Sequence, residues 1–331
     1  MEKITGILQE YAISPQVIVP VTERVHKIKA NGKEFALKRS RLDQNSLNRW
    51  LAAYRTASEL GLSEIIPVYL TVRKRLYVKR EDEYYYLTPW IEKNKRSYGK
   101  KAVENVYRHI GNIHVRTKKL TTLETNKWTD PFDSYKKYCE EKERRLTIWI
   151  ERLEQKHYPS PVELQILTHY QNVRTSLRRS GQLTEEILSL SESDTGWGVC
   201  LNHGNLEQGH FLDRYIINWE KASYQHPVHD LTDMIHHEAV HAPQLTEDYI
   251  QSFSAYMDEH PLNPLERTLL VLYLMNSTEY LRMVEDYVMA RVRDESEIEW
   301  SMKLEQNYRK VIIGLMFDAY NRKNKQTSEM D

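Results

Sequence analysis

The spacing of hydrophobic and polar residues predicts strands near the start of the chain. Residues 15–40 contain two or three short strands around the turn signal Asn31-Gly32. A helix is predicted at Ser46–Leu60, and a further strand at Tyr84–Pro89. Short strands with a single intervening helix indicate a small sheet in this part of the chain.

The rest of the chain has the hydrophobic spacing of helices. These are predicted at Ala102–Arg116, Phe132–Lys156, Pro161–Ser180, Leu231–Val240, Glu247–Glu259, Pro264–Asn276 and as a pair within Thr278–Arg322. The pattern therefore predicts an α+β fold, with a β-rich N-terminal lobe containing one helix over residues 1–90 and a helical C-terminal lobe over residues 91–331.

The segment Leu201–Glu220 has the layout of a kinase catalytic loop followed by a metal-binding strand. In such a site an Asp on the loop accepts the proton of the substrate hydroxyl. An Asn five residues later holds one Mg²⁺, and an Asp on the next strand holds metal that bridges the phosphates. The corresponding residues here are Asn205, His210 and Asn218. None of the three is the residue that the chemistry normally uses.

These replacements change what the loop can do. A neutral amide cannot accept a proton at pH 7, and Asn205 and Asn218 remove two negative charges from a site that would bind Mg²⁺. Mg²⁺ prefers oxygen ligands, whereas His210 offers nitrogen. Loss of a positioned base alone typically lowers a rate by about 10²- to 10⁴-fold. The residues therefore favour a degenerate catalytic loop over residues 201–220.

This block resembles the aminoglycoside phosphotransferase and choline kinase group, whose members have a His-Gly-Asp loop and a hydrophobic strand that ends in Asp-Trp or Asp-Phe. Here the loop begins at His203, has Asn205 in place of its Asp, and is followed by a strand that ends at Asn218. The resemblance implies a two-lobed protein-kinase-like fold. It also implies that Asp230, in the later HPVHDL segment, braces the loop backbone near His203 and caps a helix that opens at Leu231.

As a whole, the chain is most similar to the spore-coat CotS family of endospore-forming bacteria, and within it to the YutH-like members. This resemblance covers nearly the full chain at low identity, and residues 201–231 are its specific part. It implies synthesis in the cytoplasm of the mother cell, assembly into the spore coat, and other spore coat proteins as partners.

Lys38 lies at the end of a predicted strand, after Phe35-Ala36-Leu37. The resemblance places it as the lysine that pairs with α- and β-phosphates, and a solvated surface lysine is the alternative. Two other parts of a nucleotide site are missing. The segment Val21–Ile28, where a turn should cover the phosphates, has no glycine, although close backbone approach to phosphate normally needs one. Glu59, the only carboxylate of the predicted helix, lies too near its end to pair with Lys38.

Composition excludes several classes of protein. The 331 residues include 47 basic and 47 acidic side chains, so no net field attracts nucleic acid or an anionic membrane. No stretch approaches the roughly 18 apolar residues of a membrane-spanning helix. Cys139 and Cys200 are too few for a disulfide framework. The chain has 22 tyrosines but only 5 phenylalanines. Tyrosine suits half-buried positions because its ring is apolar and its hydroxyl is polar. A sharper hypothesis is that exposed tyrosines mediate adhesion or cross-linking in a protein shell.

His237-Glu238-Ala239-Val240-His241 is a literal HExxH motif, which on a helix can hold Zn²⁺ between two histidines. Pro243 should end that helix soon after His241, and no third ligand is evident. A helix end with solvated histidines is the simpler interpretation.

The sequence therefore predicts a pseudokinase of the spore coat: not an enzyme, without cofactor or metal, and with a structural or interaction role in coat assembly. The template positions on which this depends are Lys38, His203, Asn205, His210, Asn218 and Asp230. The alternatives are an active ATP-dependent small-molecule or protein phosphotransferase with atypical metal ligands, and an HExxH zinc hydrolase.

Overall fold

The computed structural model describes residues 2–92, 99–121, 125–193, 197–291 and 295–328. Its N-terminal part is built on five strands, namely β1 (Val17–Thr22), β2 (Val25–Ala30), β3 (Lys33–Ser40), β4 (Val78–Arg80) and β5 (Glu83–Pro89). They form one antiparallel sheet in the order β1-β2-β3-β5-β4. A mostly helical remainder follows, so the predicted α+β class is confirmed.

This part contains two helices, whereas the sequence predicted one. The additional helix, α1 (Glu2–Gln9), buries Ile7 and Leu8 against one face of the sheet, in a cluster with Leu37 and Leu87. Helices shorter than about 12–15 residues are marginal on their own in water. An eight-residue helix therefore depends on packing against the sheet, which sequence spacing alone does not reveal.

The second helix, α2 (Gln44–Leu60), begins two residues before its predicted start. Asp43 caps it by accepting a hydrogen bond from the Ser46 backbone N–H at 2.7 Å. Gly61 ends it in the left-handed conformation, with a φ of 60°. Trp50 of α2 packs on Tyr86 of β5, with ring centroids 5.1 Å apart. The helix therefore lies against the face of the sheet opposite α1.

The helices of the C-terminal part are α3 (Lys100–Thr117), α4 (Thr125–Glu154), α5 (Pro161–Ser193), α6 (Val228–His241), α7 (Thr246–Gln251), α8 (Phe253–Glu259), α9 (Pro264–Leu274), α10 (Thr278–Val288) and α11 (Glu297–Ser328). Three predictions need correction here. Helix α4 begins at Thr125, seven residues before its predicted start at Phe132. The helix predicted at Glu247–Glu259 is broken at Ser252 into α7 and α8. In addition, α5 continues well beyond Ser180.

Two hydrophobic cores lie under these helices. The main core runs from α2 through α3, α6, α8 and α9, and the second lies between the α4–α5 hairpin, α10 and the start of α11. Helix α11 contacts α5, α6 and α9, and so forms one wall of the region described below. In the described part of the chain, no helix combines the length and apolar character needed to cross a bilayer.

Short strands hold the loop region in place. They are β6 (Lys119–Thr121), β7 (Trp197–Asn202), β8 (Phe211–Leu212), β9 (Tyr215–Ile216) and β10 (Ser223–Gln225). Strands β8 and β9 form a hairpin, and β10 pairs with β7 so that Ser223 lies opposite Asn202. Both ends of the segment between them, residues 203–222, are therefore fixed side by side.

Candidate active site

A fully buried carboxylate anchors the predicted catalytic loop. Asp230 accepts hydrogen bonds from the backbone N–H groups of His203 at 2.6 Å and Gly204 at 2.8 Å. Burial alone would raise the pKa of Asp230, but the hydrogen bond and charge of His114 hold it below its usual value. The predicted role as a helix cap needs correction, because α6 begins at Val228 and Asp230 lies inside its first turn.

Gly204 allows the loop to turn under the segment that follows. Its φ is +76°, and a Cβ atom there would lie 2.4 Å from the carbonyl oxygen of Lys221. A side chain is therefore excluded by both conformation and space. The glycine brings the loop into direct contact with the 3₁₀ turn Trp219–Lys221.

His203 connects the loop to the strand hairpin. Its Nε2 donates to the Ile217 carbonyl oxygen at 2.8 Å, and its ring packs on Trp219 with centroids 4.9 Å apart. Burial lowers the pKa of His203, which keeps the ring neutral. The Asn205 backbone N–H donates to its Nδ1 at 3.3 Å. His203 is thus fully engaged in holding the loop.

The side chains at the predicted base and metal positions also have partners within the protein. Asn205 Oδ1 accepts a hydrogen bond from Lys221 Nζ at 3.0 Å. His210 Nδ1 donates to the Asn205 carbonyl oxygen at 3.0 Å, and its Nε2 lies 3.1 Å from Glu207 Oε1. Burial lowers the pKa of His210 to about 4. The single N–H of this neutral ring is used on the loop backbone, so His210 is a structural residue of the loop.

Lys38 reaches from the sheet to the residue at the predicted metal position. Its ammonium donates to Asn218 Oδ1, although 180 residues separate the two in sequence. Asn218 adopts a left-handed backbone conformation, with a φ of 69°. Burial lowers the pKa of Lys38, while the nearby carboxylate of Glu220 acts in the opposite direction.

The carboxylate near Lys38 comes from a place that the sequence did not indicate. Glu59 is exposed near the end of α2, as its position in the sequence suggested. Glu220 instead supplies the negative charge, and it accepts a hydrogen bond from Tyr86 of β5. Because Glu220 follows Asn218 by two residues, the sequence contained the signal. It was missed because only the template positions were considered.

The oxygen donors beside Lys38 fit one kind of metal site. The described residues contain no group of three His, Cys, Asp or Glu side chains arranged to hold a metal ion. Mg²⁺ in phosphoryl-transfer sites, however, is usually bound by one or two carboxylates together with substrate phosphates and water. The Glu220 carboxylate and the Asn218 amide oxygen match that smaller donor set. They would hold a metal that arrives with a nucleotide.

The face of the sheet that carries Lys38 also carries small and apolar side chains. Residues two apart on a strand share a face, so Ala36 lies beside Lys38, with Thr88 as its cross-strand partner on β5. Val17 and Val19 of β1 lie on this face by register and are 45% and 42% exposed. The turn between β1 and β2 contains no glycine, as the sequence indicated.

A polar cavity lies on the other side of the loop. Its volume is about 510 Å³, and its walls come from the loop, the 3₁₀ turn, α6 and α11. The charged and polar side chains that line it include Asn205, Glu207, Lys221, Asp233, His237, His241, Asn307 and Lys310. We call it the acceptor cavity. Asp233 and Lys221 also line an adjoining cavity of about 430 Å³, together with Ser46 and Arg49 of α2.

The HExxH motif is part of this wall. Helix α6 ends at His241, and the next 3₁₀ turn begins at Pro243. His237 Nε2 lies 2.9 Å from Glu207 Oε2, and its Nδ1 lies 3.1 Å from Glu238 Oε1. Glu238 is buried and accepts the Gln208 backbone N–H at 3.0 Å. The motif therefore supports the loop by hydrogen bonds.

No protein-family model and no curated protein matches the sequence. Solved structures do match. The aminoglycoside phosphotransferase from Alicyclobacillus acidocaldarius subsp. acidocaldarius DSM 446 aligns with a TM-score of 0.70 at 14% identity, over 97% of this chain and 96% of that one. The AMP-bound spectinomycin phosphotransferase APH(9)-Ia gives 0.56 at 14% identity, over 95% and 96%. The microcompartment-associated aminopropanol kinase gives 0.54 at 11%, over 96% and 97%.

These similarities show a shared fold, and the predicted kinase-like fold of the aminoglycoside phosphotransferase type is confirmed. They also correct one prediction. The sequence indicated a pseudokinase, yet the solved structures named above are two phosphotransferases and a kinase. The prediction that the chain is not an enzyme is therefore wrong. That prediction considered only positions 205, 210 and 218, whereas the fold brings the carboxylates of Glu220 and Asp233 to the same region.

Proposed function

We propose that the protein is an ATP-dependent phosphotransferase that acts on a small molecule. The observation that carries this proposal is the position of Lys38, whose ammonium lies beside Asn218 and the carboxylate of Glu220. A lysine held at that point can contact the phosphates of a nucleotide, and the neighbouring oxygens would hold a metal ion bound with it. A solvated surface lysine would have no such surroundings.

The sheet face supports nucleotide binding. Val17 and Val19 of β1 and Ala36 of β3 lie on the side of Lys38, with Lys27 of β2 between Val19 and Ala36, and the two valines are exposed. A planar base can cover this surface, while the phosphates extend towards Lys38. Without a glycine in the β1–β2 turn, the phosphates depend on Lys38 and the metal ion more than on backbone N–H groups.

The acceptor cavity supports a small-molecule substrate. Its volume of about 510 Å³ lies in the range of about 300–1,000 Å³ that is usual for such ligands. Its lining is mostly polar and includes Lys221 and Lys310, which suits a compound with several hydroxyl groups. Phosphoryl transfer depends largely on positioning and charge stabilisation, so the missing Asp at position 205 lowers the rate without removing the reaction.

The experiment is transfer of the γ-phosphate from Mg²⁺–ATP to a panel of hydroxylated small molecules, with ATP binding followed in parallel by thermal shift. We expect a saturable shift, since a ligand at 100 times its Kd adds about 2.7 kcal/mol of stability. Lys38→Ala should abolish the shift and the transfer. Lys33→Ala is the matched control, because Lys33 is an exposed residue of the same strand. Absence of both binding and transfer in the unchanged protein would refute the proposal.

We further propose, from the resemblance to the CotS family alone, that the protein is located in the spore coat and contacts other coat proteins. A fluorescent fusion followed through sporulation tests this location. A ring around the forespore supports it, and diffuse fluorescence throughout the mother cell contradicts it. This proposal is independent of the catalytic one.

A further inference from the structure

Asp233 is a carboxylate that opens into both cavities below the catalytic loop. It lies on α6, three residues after the anchor Asp230, and the two cavities share Gly204, Lys221 and Asp233 in their walls. Within residues 2–92, 99–121, 125–193, 197–291 and 295–328, its carboxylate accepts no hydrogen bond within 3.5 Å and forms no ion pair within 4.0 Å. Its side chain is exposed to this space.

The other carboxylates that line these cavities are already engaged. Glu207 lies between two histidines, with Oε1 at 3.1 Å from His210 and Oε2 at 2.9 Å from His237. Glu220 accepts a hydrogen bond from Tyr86 on the sheet side. Asp233 is therefore the lining carboxylate that remains available to a bound acceptor.

We propose that Asp233 is the general base of the reaction and supplies the carboxylate that position 205 lacks. This inference rests on the phosphotransferase function proposed above. The acceptor hydroxyl oxygen forms a bond to the γ-phosphorus of ATP while its proton passes to the Asp233 carboxylate. The bond from that phosphorus to the β–γ bridging oxygen breaks, and its electron pair leaves with ADP.

The surroundings of Asp233 suit this role. The surrounding protein raises its pKa to about 6 by desolvation, and the negative charge of Asp230 adds to the effect. Lys221 from the 3₁₀ turn and Lys310 from α11 act in the opposite direction. His236 and His237 lie on the same helix and line the same cavity. A carboxylate with a pKa near 6 is ionised at pH 7 and accepts a proton more readily than an ordinary Asp.

Lys221 connects the two candidate positions. Its ammonium donates to Asn205 Oδ1 at 3.0 Å, and its charge also acts on Asp233. The same cation therefore acts on the loop amide and on the proposed base. In this arrangement Asn205 positions Lys221, and Asp233 accepts the proton.

The test compares the isosteric variants Asp233→Asn and Asp258→Asn with the unchanged protein. Asp258 is an exposed residue of α8 that lines neither cavity, and it serves as the control. Transfer from ATP to the hydroxylated panel, and to water, is measured between pH 5 and 8, with the ATP thermal shift as a second readout. We expect Asp233→Asn to lower kcat about 10²- to 10⁴-fold while the ATP-induced shift stays unchanged.

The pH profile separates catalysis from a structural role. The unchanged protein should lose kcat about tenfold per pH unit below about pH 6, and Asp233→Asn should lack this limb. Asp233→Glu should retain part of the activity, and Asn205→Asp should restore part of it in the Asp233→Asn protein. If Asp233→Asn keeps both kcat and the acid limb, the inference is wrong while the phosphotransferase function remains. If the unchanged protein transfers no phosphate, both are wrong.

Discussion

Two carboxylates of α6 lie three residues apart and have opposite surroundings. Asp230 is fully buried, and its oxygens accept the backbone N–H groups of His203 and Gly204. Asp233 opens into the cavities on the other side of the loop and has no such partner in the described part of the chain. Charge and hydrogen bonds lower the pKa of Asp230, whereas desolvation raises that of Asp233.

The difference separates the frame of the site from its chemistry. The frame is the set of residues that holds the loop in place, such as the buried Asp230 and Gly204, where a side chain would not fit. The chemistry needs a charge at a point in an open cavity, and a neighbouring element can supply it. A template position that lacks its usual residue is therefore weaker evidence against activity than a broken frame would be.

The largest expected effect is acid destabilisation around the buried anchor. Burial lowers the pKa values of His226 and His260 to about 3, well below the value of about 6.5 in an unfolded chain. The unfolded state then binds more protons below pH 6.5, so stability is full above that pH and falls as the pH decreases. These two groups contribute about 2 kcal/mol per pH unit to this decrease, and His169, His210 and His236, whose pKa values burial lowers to about 4, add to it.

Urea unfolding at pH 7, 6 and 5 measures this slope. His260→Gln should reduce it by about 1 kcal/mol per pH unit, since one titrating group is removed. A stability that is constant from pH 7 to 5 would show that these histidines are not buried in the neutral form.

The next effect separates the two carboxylates directly. Asp230→Asn removes a buried charge and presents an N–H group to the backbone donors of His203 and Gly204, which should cost about 2–5 kcal/mol. Asp233→Asn should leave stability unchanged or slightly higher, because the fold disfavours its charge. Urea unfolding at pH 7 compares the two variants. Equal losses would contradict the division between frame and chemistry.

A smaller effect is expected at the turn of the loop. Gly204→Ala places a Cβ atom 2.4 Å from the Lys221 carbonyl oxygen and forces a left-handed alanine. The left-handed backbone conformation alone costs an alanine about 1–2 kcal/mol. The 3₁₀ turn that carries Lys221 must also shift to relieve the contact with the new Cβ atom. Gly181→Ala is the control, because no atom lies within 4 Å of a Cβ built at this position. Thermal unfolding and transfer activity should both decrease only in the first variant.

The sequence predicted the frame well because frame residues are adjacent in sequence or follow a known spacing. The loop from His203 and the strand that carries Lys38 lie where their patterns indicated, whereas the helix of the HPVHDL segment begins at Val228, three residues before its predicted start. The bounds of α3 and α9 differ from their predictions by two residues or fewer at each end. The resemblance to spore-coat proteins, by contrast, stays a prediction.

The rest could not be predicted because it depends on contacts between distant segments. Glu220 lies near Lys38, and Glu207 lies between His210 and His237, only once the fold brings these segments together. Asp233 occurs in a helical sequence with nothing to distinguish it from a surface residue. Its role depends on the cavity between the loop and α11, which forms only in the folded chain.

The smallest expected effect on stability is that of Asn205→Asp, which adds a carboxylate on the open side of the loop. The Lys221 ammonium already donates to this side chain at 3.0 Å, so the variant converts a hydrogen bond between a cation and a neutral amide into an exposed ion pair. Such pairs contribute about 0–1 kcal/mol and weaken with salt. We expect a change within about 0.5 kcal/mol by urea unfolding, far below that of Asp230→Asn. A loss above about 2 kcal/mol would mean that position 205 belongs to the buried frame, and the contrast between the two sides of the loop would then fail.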